Sequence, residues 1–293
     1  MEDSATVQPK GAPRPGLLGR KFSLSSLPWW AFILAASGLL LIYLILANPN
    51  YRDTFDYLVT GIQVTLRITL FAYLLATALG LFTGLARTSK NFFLFTASTL
   101  YVEMVRGVPL IVLMLYSAFV ILPGILAVVH ALGAWGQSLG LSGFLGGLFA
   151  GLADVSIRSV NLEARGIFAL GIGYGAYEAE VFRAGIQSIG RGQMEAARSL
   201  GMSYAQAMRH IILPQAIRRV LPPLGNDFIA CLKDSSLLTV LAVNELTQLG
   251  RLRRASTFRV FETFNVVTFL YLAMTLLLSI AVRALERRMK IED

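Results

Sequence analysis

Long uncharged runs of apolar residues dominate the pattern along the chain. Four of them contain no Asp, Glu, Lys or Arg: Trp29 to Ala47, Ile68 to Ala86, Val108 to Val129 and Asn265 to Val282. A helix needs about 20 such residues to cross a bilayer, because each residue adds about 1.5 Å toward a hydrocarbon core about 30 Å thick. The pattern therefore predicts four membrane-spanning helices.

Two further apolar stretches, Ile167 to Ile189 and Val220 to Val243, are each interrupted by three ionisable residues. Together with the uncharged runs they predict six spans in an all-α membrane protein. Leu139 to Ala153 is also apolar, but its 15 residues are too few to cross. We expect an interfacial or re-entrant segment there, on the outer face.

Composition supports the membrane assignment. The 293 residues are 55% hydrophobic and 15% charged, against roughly 25% charged in an ordinary soluble domain. One cysteine, Cys231, excludes an internal disulfide. His130 and His210 are 80 positions apart, which makes a zinc site improbable. The net charge of +9 is better explained by membrane topology than by nucleic acid.

Lys and Arg collect on the cytoplasmic side of membrane proteins. Six spans with a cytoplasmic N-terminus place 17 of these residues inside and 7 outside, which favours both termini in the cytosol. Four arginines between Arg251 and Arg259 lie outside, against the rule. They either dock an acidic patch of another protein or are solvated.

The two ends of the chain differ from its middle. Residues 1–28 are polar and rich in Pro, Ser and Gly, which predicts a disordered cytoplasmic tail. Trp29 to Ala47 is longer than the apolar part of a cleaved signal, so a retained anchor is expected. The membrane domain then covers residues 29–288, and 289–293 form a short C-terminal tail.

The cytoplasmic loop at 190–214 predicts two short helices with a corner. Gly201 suits the left-handed position just past a helix end. Ser203 and Gln206 have the spacing of a capping box for the second helix. Pro214 is expected to stop that helix.

This loop resembles the EAA loop of ABC-importer permeases. Glu195-Ala-Ala, three residues, Gly201, nine residues and Ile211-Ile-Leu-Pro214 keep its spacing. Other motifs are similar to the polar amino-acid subfamily, the histidine/glutamine type: Tyr101-Val-Glu-Met-Val-Arg-Gly-Val-Pro109, Gly175-Ala-Tyr-Glu-Ala-Glu-Val-Phe-Arg183, Leu221-Pro-Pro-Leu-Gly-Asn226, Leu232-Lys-Asp-Ser-Ser-Leu237 and Asn244-Glu-Leu246. The match runs from about Thr60 to Arg288. The outer segment from His130 to Arg165 is longer than usual, and the sixth span is absent from some members.

The resemblance implies a type I ABC importer permease with a cytoplasmic coupling helix. Its ATPase-coupling residues would be Glu195, Ala196, Ala197 and Gly201. A separate ABC ATPase subunit would bind ATP and Mg, so no cofactor is expected in this chain, and no G-x-x-x-x-G-K-[ST] phosphate loop occurs in it. The resemblance also implies an extracytoplasmic amino-acid-binding protein, a second permease subunit that is this chain or a sister, and the inner membrane of a bacterium.

Ionisable residues inside a bilayer mark a pathway or a pair. Asp227, Lys233 and Asp234 form the best group, and Glu180 is a further candidate. They either contact an amino-acid substrate or pair with one another and with Arg183 or Arg106 to hold helices together. Glu103 and Arg106 have the spacing of an intrahelical pair.

Two other functions remain as alternatives to an ABC importer permease. An ion-coupled secondary amino-acid carrier is the main one, although such carriers often have broken helices in related halves. A membrane enzyme is the other, although no convergent His, Asp or Cys cluster is visible in the sequence. The particular amino acid cannot be read from these residues.

Overall fold

The protein is described by a computed structural model that covers residues 29–140 and 142–289, and within these ranges it contains helices and no strand. The α-helices are α1 Trp29–Ala47, α2 Pro49–Ala86, α3 Phe92–Arg106, α4 Leu110–Tyr116, α5 Leu122–Ser138, α6 Gly143–Ala153, α7 Leu162–Gln187, α8 Arg191–Ser199, α9 Tyr204–Ala207, α10 Leu213–Asp234, α11 Leu246–Thr257 and α12 Val260–Met289. The predicted tail at 1–28 and residues 290–293 lie outside the described residues.

Four helical runs are long and apolar enough to cross a bilayer. They are α1, α2, α12 and the run Leu110–Ser138, in which α4 continues through a π-helical segment, Ser117–Ile121, into α5. α7 occupies the predicted span Ile167 to Ile189. α10 begins seven residues before the predicted span Val220 to Val243 and ends at Asp234, where a 3₁₀ segment, Ser235–Leu241, follows. The arrangement with six spans remains a prediction.

α2 starts 19 residues before the predicted span at Ile68. Its first turn is set by local chemistry, because the side chain of Asn48 accepts a hydrogen bond from the backbone N–H of Asn50 and Pro49 occupies the first helical position. The 38 residues of α2 make it the longest helix in the described chain. It extends well past the 19 residues of the predicted span.

α2 and α7 pack side by side in parallel. Leu75 contacts Gly171 near one end, and Gly84 contacts Phe182 near the other. The contact is very close: a Cβ added to Gly80 would lie 2.6 Å from the Cβ of Glu178. Small residues allow such approach of two backbones, which drives helix association where lipid is the solvent.

Two further helices, α3 and α10, are joined to this pair by tyrosine hydroxyls. Tyr73 on α2 donates a hydrogen bond to the carbonyl of Leu224 on α10 at 2.5 Å. Tyr101 on α3 donates to the carbonyl of Ile172 on α7 at 2.7 Å. These bonds link α3 and α10 to the central pair inside the apolar bundle.

Three of the four arginines between Arg251 and Arg259 are engaged within the described chain. Arg253 and Arg259 both form ion pairs with Asp53 at the start of α2, and Arg253 also lies over the ring of Tyr57, 5.2 Å from its centroid. Arg251 donates a hydrogen bond to Thr239 at 3.0 Å. The two alternatives drawn from the sequence, solvation and docking of a separate protein, thus left out a third, an ion pair within the chain. The sequence could not indicate it for Arg253 and Arg259, because nothing in it shows that Asp53 lies opposite them.

The close α2–α7 contact gives a stability prediction. Gly80→Leu should lower the free energy of unfolding by about 1–3 kcal/mol, since the new side chain overlaps Glu178. The measurement is thermal or denaturant unfolding in detergent. Gly38→Leu is the matched control, because a Cβ at Gly38 on α1 meets nothing within 4 Å. Equal stability of the two variants would contradict the packing.

Candidate functional site: the α8–α9 corner and a charged cavity

The loop between α7 and α10 forms the predicted corner. α8 ends at Ser199, and Gly201 has a φ of +82°, the left-handed conformation that glycine adopts without strain. Ser203 begins α9 with a complete capping box, in which its hydroxyl accepts from the N–H of Gln206 and the side chain of Gln206 accepts from the N–H of Ser203. The predictions of the glycine position and of the capping box are confirmed.

The corner packs against the ends of α7 and α10. Ile189, Ile212 and Ala216 form a small buried cluster beneath it, against which Met194 of α8 packs. Arg219 of α10 donates a hydrogen bond to the carbonyl of Ser188 at 2.5 Å. α8 is therefore attached to the ends of both longer helices.

Pro214 does not stop the second helix, so that prediction is wrong. A π-helical segment, Met208–Ile212, follows α9, and Pro214 lies in the first turn of α10, which continues without a break to Asp234. The wider π turn has the N–H of Leu213 bonded to the carbonyl of Met208, five residues back. This displaces the backbone that the proline ring would otherwise meet.

One face of the corner is open to its surroundings. Glu195 and Ala196 are exposed, whereas Ala197 is buried against the loop. Leu200 and Tyr204 are large apolar side chains with 81% and 58% of their surface exposed. A short helix with an exposed carboxylate, a small alanine surface and two uncovered apolar side chains is suited to seat in a groove of another protein.

A second feature is a cavity of about 510 Å³ beside the ends of α7 and α10 nearest the corner. Its polar lining comes from both helices and from the end of α3: Arg106, Tyr177, Glu180, Ser188, Arg219 and Asp227. It therefore combines cationic and anionic groups on one wall of the bundle. A zwitterion needs both kinds of group.

The charges in the cavity differ in how they are engaged. Glu180 forms ion pairs with Arg183 on its own helix and with Arg87 at the end of α2, the latter at 2.8 Å. Arg106 lies over the ring of Tyr177, 5.7 Å from its centroid. Asp227 forms no hydrogen bond or ion pair with the part of the chain that the structure covers. Of the four predicted pathway residues, Asp227 has the carboxylate most available to a ligand.

Lys233 and Asp234 do not join this cavity. Asp234 accepts a hydrogen bond from the hydroxyl of Tyr174 at 2.7 Å, which supports the structural reading for that residue. Lys233 is six residues after Asp227, about 120° away around the helix, and lines a separate groove with Thr247 and Tyr271. The predicted group of three is therefore divided between two surfaces of α10.

Sequence reasoning missed both ion-pair partners of Arg87. The predicted pair of Glu103 with Arg106 is not formed, because Glu103 lies 3.4 Å from Arg87. Arg87 thus joins Glu180 and Glu103, which are 93 and 16 residues away. No local pattern signals that contact.

Glu178 is fully buried, and neither of its carboxylate oxygens has a hydrogen-bond partner among the described residues.

Comparison with known proteins gives a consistent family. Residues 76–291 match the model of the binding-protein-dependent transport system inner membrane component. The probable glutamine ABC transporter permease protein GlnM of Bacillus subtilis is 36% identical over 238 residues, which cover 81% of this chain and 95% of that protein. The glutamine transport system permease protein GlnP of Escherichia coli K12 is 35% identical, with 80% and 93% covered.

Two solved structures share the fold of this chain. The crystal structure of an amino acid ABC transporter with histidines contains a chain that is 33% identical, with a TM-score of 0.64, and the match covers 83% of this chain and 98% of that one. A chain of the MetNI methionine ABC transporter in inward-facing conformations has a TM-score of 0.60 at 20% identity, with 80% and 97% covered. At that identity the likeness concerns the fold alone.

The structural role of Asp234 gives a prediction. Tyr174→Phe should lower the free energy of unfolding by about 1–3 kcal/mol, because it leaves the Asp234 carboxylate without its donor inside the bundle. The measurement is unfolding of the purified chain in detergent. Tyr177→Phe is the matched control, since it retains the ring beneath Arg106 and its hydroxyl makes no hydrogen bond among the described residues. If both variants are as stable as the parent, Asp234 does not depend on Tyr174.

Proposed function

Because the chain belongs to the family of binding-protein-dependent transport system inner membrane components, we propose that it is the permease through which an ABC importer moves a polar amino acid. The match over 76–291 is the observation that carries the proposal. The two relatives compared by sequence are named as a probable glutamine permease and a glutamine permease, so glutamine is the first substrate to test. Members of this family are membrane components and not enzymes, and the ATPase is a separate subunit.

The α8–α9 corner is the proposed contact with that ATPase. Glu195, Ala196 and the exposed side chain of Leu200 form the surface offered to it. Ala197 and Gly201 act differently, since Ala197 anchors α8 on the bundle and Gly201 sets the angle of the corner. ATP and Mg would be bound by the partner, so this chain needs no cofactor of its own.

The proposed coupling depends on the attachment of α8 to the bundle. The corner packs on the buried cluster of Ile189, Ile212 and Ala216, and Arg219 donates a hydrogen bond to the carbonyl of Ser188. When the ATPase closes around ATP, movement of α8 would bias α7 and α10 between two arrangements that expose the pathway to opposite sides. This is alternating access, and it requires that the partner bind α8 differently in the two arrangements.

The rest of the assembly follows from the same proposal. An extracytoplasmic binding protein would deliver the amino acid, and a second permease, either this chain or a sister, would complete the pathway. The chain is an integral membrane protein, and we place it in the bacterial inner membrane with both termini in the cytosol. The balance of 17 inside to 7 outside supports that orientation.

The cavity between α7 and α10 is the part of the pathway that we assign to this chain. The free carboxylate of Asp227 would attract the ammonium group of the amino acid, and the guanidinium groups of Arg106 and Arg219 would attract its carboxylate. Glu180 would hold Arg87 and Arg183 in place beside it. Lys233 and Asp234, which lie outside this cavity, would act elsewhere on α10. The relatives give no support to an ion-coupled carrier.

The coupling role gives a prediction at Gly201. Gly201→Val should greatly reduce amino-acid uptake and amino-acid-stimulated ATPase activity, because a left-handed backbone costs a side chain roughly 1–2 kcal/mol and more when it is β-branched. Glu195→Arg should act in the same direction by reversing the charge at the contact. Both activities are measured in proteoliposomes containing the complete transporter.

Gly124→Val is the matched control for Gly201→Val. Gly124 is exposed in α5, away from the corner, its Cβ position is open, and its φ is not left-handed. Membrane insertion should be unchanged in all three variants. Normal uptake by both Gly201→Val and Glu195→Arg would refute the coupling assignment.

The pathway role gives a separate prediction at Asp227. Asp227→Asn should raise the KM for uptake about tenfold or more, since a charge-assisted hydrogen bond to the ammonium group contributes roughly 1.5–3 kcal/mol. Capture of the ATPase by the permease should be unchanged. Asp234→Asn is the control, because an amide oxygen can still accept from Tyr174. Equal kinetics for the two variants would remove Asp227 from the pathway.

A further inference from the structure

The charges that line the cavity between α7 and α10 do not balance. Its charged lining residues are Arg106, Glu180, Arg219 and Asp227. Glu180 forms ion pairs with other arginines, whereas the remaining three form no ion pair with the part of the chain that the structure describes. The cavity therefore offers two unpaired cations and one unpaired anion to a ligand.

Glu180 contributes no free charge. Its carboxylate pairs with Arg183 and, at 2.8 Å, with Arg87, which also lies 3.4 Å from Glu103. These four side chains carry two positive and two negative charges, so the network as a whole is neutral. Glu178 is on the same helix, but it lies against Gly80 of α2 and is not part of the cavity lining.

The two unpaired arginines keep their full charge. Arg106 lies over the ring of Tyr177, 5.7 Å from its centroid, and an aromatic ring attracts a cation without neutralising it. Arg219 donates a hydrogen bond to the carbonyl of Ser188, which is also a neutral group. With Asp227 as the single free carboxylate, one positive charge is left over.

A zwitterionic amino acid does not match this extra cation with its backbone groups alone. Its ammonium group would pair with Asp227, and its carboxylate would pair with one guanidinium through two parallel hydrogen bonds. Arg219 lies eight residues before Asp227 on α10, a rise of about 12 Å. Because the ammonium and the carboxylate are attached to the same carbon, Arg219 is better placed for the far end of the side chain, which leaves Arg106 for the carboxylate.

We propose that this cavity selects amino acids whose side chain ends in an oxygen acceptor, as in glutamate and glutamine, and that it disfavours lysine and arginine, with Arg219 as the residue that determines this specificity. The inference rests on the proposed pathway role of the cavity. A carboxylate or amide oxygen accepts hydrogen bonds from a guanidinium, whereas a cationic side chain would meet a like charge. The volume of about 510 Å³ lies within the range of roughly 300–1,000 Å³ that is usual for small-molecule sites.

Displacement of radiolabelled glutamine tests the proposal. The complete transporter is used in nanodiscs without the binding protein, because that protein has a specificity of its own. The competitors are glutamate, glutamine, norleucine and lysine, and norleucine has the carbon chain of lysine without its charge. Glutamate and glutamine should displace the label at the lowest concentrations, norleucine should need more, and lysine should need at least about tenfold more than glutamine.

A charge-neutral variant separates Arg219 from the rest of the cavity. Arg219→Gln removes the extra cation while its amide can still donate to the carbonyl of Ser188, so the difference between glutamine and lysine should fall to about threefold or less. Arg218→Gln is the matched control, because Arg218 is exposed on the same helix and does not line the cavity. It should retain the tenfold difference.

Three results would overturn the proposal. Lysine could displace the label as well as glutamine does, Arg219→Gln could leave the difference unchanged, or a transporter that takes up glutamine with its binding protein could bind no glutamine without it. The proposed function is tested separately by uptake in proteoliposomes with the binding protein. Absence of uptake of every amino acid would refute that function, whereas uptake of glutamine together with equal displacement by lysine would refute the charge selection alone.

Discussion

The close parallel contact of α2 with α7 is the interaction on which the rest of the structure depends. In lipid, apolar side chains gain little by leaving the solvent, so helices associate through close packing and polar contacts. Gly80, Gly84 and Gly171 remove the side chains that would separate the two backbones. Once the pair is formed, Tyr73 on α2 can reach a carbonyl of α10, Tyr101 on α3 can reach a carbonyl of α7, and the bundle closes around the pair.

That contact also positions both parts of the candidate site. α7 carries Glu180 and Tyr177 on one wall of the cavity, and its last residues lead directly into α8. α10 contributes Asp227 to the same cavity and starts beside the same corner. If α8 moves as the proposed coupling requires, the displacement would act directly on both helices that line the cavity, because α7 leads into α8 and α10 starts beside it.

Sequence reasoning succeeded where the information is local. Uncharged runs located the long helices, the resemblance of several spaced motifs identified the family, and Gly201 with Ser203 and Gln206 sufficed to predict the corner. It failed for contacts between distant residues. Nothing near Arg87 indicates that Glu180 is its partner, and nothing near Asp53 indicates Arg253. The grouping of Lys233 with Asp227 was wrong for a different reason: their spacing of six already places them on different faces of α10.

Pro214 shows why one local rule failed and what the exception achieves. The chain has the same arrangement twice, since Leu122-Pro123 follows the π segment Ser117–Ile121 and Leu213-Pro214 follows Met208–Ile212. In both places the wider π-helical turn accommodates the proline that follows it, and the helix continues past the proline. A proline that ended the second helix would leave a flexible joint between the corner and α10. Because the helical run is unbroken, α9 and α10 form one continuous helical element, and the proposed coupling would require this continuity if motion at α8 is to reach Asp227.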